Sequence, residues 1–201
     1  MPKVIFAQNY IDSIIGELMY SIDRPSRMLL LDTVTDAVQP GAEVDPSIFS
    51  AIVLLATEGV ANPARSGGRL VNSFPDIRVS ACNLLGIIKT GDSKTNLLTV
   101  LHYDSDPTVL GAAVRALTNI GLNENDDVVL AIIVLQQRQT GLNRPSNTLA
   151  IEILKAYDFF SQKVTRKDPM VQSILAIITD YRYVAAVRKQ AANLLQKLLK
   201  S

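Results

Sequence analysis

The chain has 201 residues, 48% of them hydrophobic, and a formal net charge of +1. The apolar fraction excludes intrinsic disorder, and the near-neutral charge argues against a dedicated nucleic-acid binder. One cysteine, Cys82, excludes an internal disulfide and a cysteine-rich metal site, and no apolar run reaches the roughly 18 residues that span a bilayer.

Ile5-Phe6-Ala7 followed by Gln8 looks like the tail of a signal cleavage site. The compartment is therefore open: cytoplasmic by default, exported if this is a trimmed leader. Tyr10 to Ile22 carries Ile11, Ile14, Ile15, Leu18 and Met19 at helical spacing, which predicts a helix. Asp23-Arg24-Pro25 breaks it, and a second helix runs from about Ser26 to Val38. Asp45-Pro46 starts a third, Asp45 capping free N–H groups and Pro46 supplying a preset φ. Residues 61–73 contain Pro, Gly-Gly and Ser with little helical pattern, and are expected to be a long loop.

Pro75 opens a helix to about Lys89, with Thr90-Gly91-Asp92 as a tight connection in which Gly91 ends the helix. A helix bearing Leu97, Leu98 and Leu101 follows. Asp106-Pro107 starts the next, which Gly121 stops. Val128 to Gln137 is helical after Asp126-Asp127, and 138–144 is a loop. Pro145 opens a helix to about Phe160, Asp168-Pro169 starts another as a third capped pair, and the last runs from the turn at 181–183 to about Leu199.

These are roughly ten helices in five pairs, with A the first of each pair and B the second. The B helices superimpose on a small residue: Ala81, Ala113, Ala150 and Ala191. Four residues later stand Leu85, Leu117, Leu154 and Leu195; four residues earlier stand Ile77, Val109, Ser146 and Val187. Such a repeat means stacked helix pairs, because one pair cannot bury its apolar face alone. The alanines are expected to let helix axes approach closely. The reading leaves no place for a β-sheet.

The pattern Pro-x-Val-(Arg)-x-x-Ala-x-x-x-Leu-x-x-Ile-Gly resembles the HEAT repeat, closest to the short bacterial type related to bilin-lyase repeats. It is carried by Pro75, Ile77-Arg78, Ala81, Leu85 and Ile88; by Pro107, Val109, Ala113, Leu117, Ile120 and Gly121; and by Val187-Arg188, Ala191 and Leu195. Leu110 replaces the usual arginine and Ser146 the usual valine. The resemblance implies an all-α fold: a right-handed α-solenoid of about five antiparallel helix pairs, armadillo-like, with B helices on the concave side. The whole chain, 1–201, would be one domain, with divergent helices at 10–60, the best-defined repeats at 74–121 and C-terminal repeats at 124–199. It also implies a protein-binding scaffold, with nucleic-acid binding or bilin-lyase chemistry as rarer alternatives in that family.

No catalytic set, metal site or cofactor site is read from the residues. His102, the single histidine, reads as a turn residue, and Cys82 as a small packed thiol. Arg65-Ser66-Gly67-Gly68-Arg69 could wrap an anion but lacks a P-loop ending, so a flexible connector is preferred. All A-to-B turns of a solenoid lie along one edge. That edge would carry Arg24, Arg65, Arg69, His102, Tyr103, Arg138, Arg144, Tyr181, Arg182 and Tyr183, residue types that anchor protein interfaces. The competing role is solvation of turns, with the acids of the opposite edge (Glu43, Asp45, Asp92, Glu124, Asp126, Asp127) serving helix N-termini. A second candidate surface is a polar wall of exposed B-helix positions, including Arg78, Arg115, Glu152, Lys155 and Arg188. It suits an extended peptide or protein surface better than an apolar small molecule. The partner's identity and the oligomeric state are not read from the sequence.

Overall fold

A proline beside an acidic or hydroxylic cap marks most helix starts in this chain, and the computed structural model, which describes residues 12–200, builds its elements from those signals. Ten α-helices lie among the described residues: α1 (12–20), α2 (Arg24–Ala37), α3 (Pro46–Thr57), α4 (Pro75–Ile88), α5 (Gly91–Tyr103), α6 (Pro107–Ile120), α7 (Asp127–Thr140), α8 (Asn147–Phe160), α9 (Asp168–Thr179) and α10 (Ala185–Lys200). The expected signal-like residues 5–8 and the start of the first helix lie outside the described residues.

Side-chain oxygens of Asp23, Asp45, Asp106 and Ser146 accept the free N–H groups of α2, α3, α6 and α8. The third Asp-Pro pair behaves differently: Asp168 is the first residue inside α9, where its charge faces the positive helix end without capping it. Pro145 stands before its helix, and Ser146 is the cap. Lys89, in the left-handed region with φ 58°, ends α4, while Gly91 is the first residue of α5 under a Thr90 cap. Gly121, with φ 74°, ends α6 as expected.

The loop at 61–73 corrects two expectations. It is ordered, and it contains a two-residue antiparallel ladder, Arg65–Ser66 (β1) against Arg69–Leu70 (β2). Gly67 and Gly68 both take positive φ, 54° and 80°, as a two-residue primed turn requires. Buried Asn72 ties the base, donating to the Asn62 carbonyl and accepting from the Ala64 N–H. Both strands are exposed and stand outside the helical core.

Packing repeats with a step of two helices. α4, α6, α8 and α10 touch in series and form one layer; α3, α5, α7 and α9 touch in series and form the other. One cluster of buried apolar side chains extends between the layers from Ile15 to Leu198. Ala81, Ala113, Ala150 and Ala191 are all buried in it, as are Leu85, Leu117 and Leu154, with Leu195 half-buried. The closest backbone approach between α4 and α6, however, is at Gly86: a Cβ there would lie 2.9 Å from both Cα and Cβ of Ala116.

The fourth copy is out of register. Ile77, Val109 and Val187 are each third in their helices, whereas Ser146 lies outside α8 and the third residue of α8 is Leu149.

Candidate interaction surfaces

An α-helix leaves its last carbonyls without intrahelical donors, and in the A layer those carbonyls receive arginines. The Arg27 Nη1 donates to the Leu18 carbonyl of α1 at 2.8 Å. The Arg78 Nη1 reaches the Glu58 carbonyl that follows α3, at 3.4 Å. Arg138 donates to the carbonyls of Leu101 and His102 at the end of α5, at 2.5 and 2.8 Å. Arg182 donates to those of Thr140 and Leu142 at the end of α7, at 3.0 and 2.7 Å. Positive charge also suits a helix C-terminus, so each contact is doubly favourable. Arg27 and Arg78 are fourth in α2 and α4; α6 has Leu110 and α8 has Ala150 at that place, and there the arginine comes from the neighbouring repeat.

The predicted edge therefore divides. Arg138 and Arg182 hold the stack together, and Arg182 also binds Asp180, whose carboxyl that hydrogen bond holds below the usual range. Tyr183 is buried, not on the edge. Arg24 pairs with Asp76 at 2.6 Å and lies over the Phe74 ring. Arg65, Arg69, Tyr103, Arg144 and Tyr181 are exposed; Arg65 bonds the Gly68 carbonyl within its own hairpin, and Tyr103 meets His102 edge-on. On the opposite edge, Lys94 bridges Glu124 and Asp127, tying α5 to α7.

The polar wall needs one correction. Arg78 is 3% exposed and cannot meet a partner. Its Nε donates to Asp104 at 2.7 Å, and the Asp104 carboxylate also accepts the N–H groups of Ser105 and Asp106. A second buried pair, Arg27 with Glu58 at 2.5 and 2.8 Å, stands beside it. Buried charges persist only when paired and hydrogen-bonded, and these two pairs clamp α2 to α3 and α4 to the end of α5. Arg115 is exposed and 3.9 Å from Glu152, and Arg188 is half-buried with no hydrogen-bond partner at Nε.

The sequence reading missed the outer face of the A layer. On α7, Leu130 and Val134 are 48% and 55% exposed, one helical turn apart. A cleft of about 260 Å³ lies between α5 and α7, lined by Leu98, Leu101, His102, Ala131, Val134, Leu135 and Arg138. Another of about 200 Å³ lies on the other side, toward α9, lined by Val129, Leu130, Ile133, Val164, Arg166 and Pro169 beside Asn125 and Asp126. The available signal was the unbroken apolar run Val128–Leu135, since a helix apolar all round has no face reserved for water.

Cys82 is buried, which pushes its thiol up to about 12, and exposed His102 lies far along the chain in α5, so neither forms a nucleophile–base pair. Among the described residues no group of three or more His, Cys, Asp or Glu is placed to hold a metal, and no helix is long and apolar enough to cross a membrane. Comparison with protein-family models, characterised proteins and solved structures returns no match.

Proposed function

We propose that this chain is a non-enzymatic scaffold that binds protein partners, built as a right-handed solenoid of about five antiparallel HEAT-like helix pairs. The observation that carries the reading is the apolar ridge of Leu130 and Val134, held open to water between two clefts on a layered stack. Exposed apolar patches of this kind mark protein interaction sites, and stacked helix pairs present long surfaces for them. The exposed edge residues Arg65, Arg69, Tyr103 and Arg144 and the wall residue Arg115 extend the contact surface around the ridge.

Affinity capture from the native host, with mass-spectrometric identification and reconstitution from purified components, tests the reading. A reconstituted one-to-one partner supports it, and Arg69→Glu with Arg144→Glu reports whether the edge contributes. Salt-sensitive shifts of random-sequence DNA, or a bilin absorbance on the purified protein, would replace the reading with one of its alternatives.

A further inference from the structure

We propose that the α7 ridge and its two flanking clefts dock an amphipathic helix with acidic flanks from a partner protein, a proposal that rests on the protein-binding reading above. Shape argues for a helix. Leu130 and Val134 form an i, i+4 row with a groove on either side, the relief into which a second helix interdigitates its own i, i+4 row.

Charge argues for acid. The first cleft ends at Arg138 and the second at Arg166, both exposed, and neither pairs with a carboxylate among the described residues. Two N–H groups of Arg138 serve carbonyls, which leaves its positive charge unneutralised. The acid lining either cleft is Asp126, whose carboxylate is occupied by the N–H groups of Thr165 at 3.0 and 3.1 Å and of Arg166 at 3.4 Å. A second copy of this chain would set the same cations against each other. A membrane surface favours a broad apolar face with many Lys and Arg, and this stripe is narrow with one arginine at each end.

The probes are two dye-labelled helical peptides of about 18 residues, five turns, with one leucine stripe flanked either by glutamate or by lysine. Anisotropy titration is expected to show the glutamate peptide binding at least about tenfold tighter than the lysine peptide. Val134→Glu should weaken it by about tenfold or more, as should the milder Leu130→Gln should Val134→Glu not fold, with circular dichroism checking the fold. Arg166→Glu should narrow the preference between the peptides.

Equal affinities, or affinities indifferent to both ridge variants, overturn the proposal. So does a dimer that Val134→Glu dissolves, or co-flotation with phosphatidylglycerol vesicles. A reconstituted partner that binds wild type and Val134→Glu alike would leave the scaffold reading standing and remove the ridge from it.

Discussion

Leu110 and Arg138 are a compensating pair. Leu110 is fourth in α6, the place from which Arg78 in α4 reaches the end of α3, and it has no donor to offer the end of α5. Arg138, on α7, supplies two donors to that end instead. Arg138→Met should cost about 1 kcal/mol, the scale of a partly exposed charge on helix-end carbonyls. In a chain of this length that lowers the melting temperature by about 2–4 °C. A melt unchanged from wild type would reduce this arginine to a surface residue.

Gly86 should resist alanine. In an isolated helix Gly→Ala gains about 1 kcal/mol. Here the new Cβ would meet Ala116 at 2.9 Å on both Cα and Cβ, so α4 and α6 must separate. The expected net loss is about 1–3 kcal/mol, read by urea unfolding. Pairing it with Ala116→Gly should recover much of that loss, and no recovery would place the strain elsewhere.

The buried Arg27–Glu58 pair predicts an asymmetry. Glu58→Gln leaves the Arg27 guanidinium buried with its neutral carbonyl partners alone, at a cost of about 3–5 kcal/mol. The double replacement Arg27→Met with Glu58→Leu should be the more stable of the two by denaturant unfolding, because no charge remains to be desolvated.

Cys82 should be silent to thiol reagents while the chain is folded. Burial raises its pKa to about 12 and closes off access, so almost no thiolate is present at neutral pH. Ellman titration should give negligible colour in buffer and one thiol per chain in guanidinium. Rapid labelling in buffer would mean that α4 opens readily.

Asp23 predicts a pH window. Its carboxyl, bonded by the Ser21 hydroxyl and then by the Ser26 N–H and hydroxyl at the start of α2, sits at about 2. The unfolded value is about 3.9. A folded pKa below the unfolded one contributes stability above pH ~4, and that contribution is lost as pH falls toward 2. Asp23→Asn keeps a capping side chain but cannot titrate, so its melting temperature should fall less across that window than the wild-type value. Parallel curves would assign the acid sensitivity to other carboxyls.

What the sequence by itself determined is local. Asp-Pro starts, Gly121 and the period of small and branched residues set ten helices, because capping, φ preference and apolar spacing act within a few turns of one segment. They also identified the alanine seam, all of it buried. Only the tertiary structure decided which charged and apolar side chains meet water. Arg78 finds Asp104 across 26 positions and is buried, while Leu130 and Val134, apolar in sequence, stay exposed. Gly86, not an alanine, marks the tightest contact of α4 with α6. Exposure and ion pairing depend on which helices the stack brings side by side, and no periodicity inside a single helix encodes its neighbour's face.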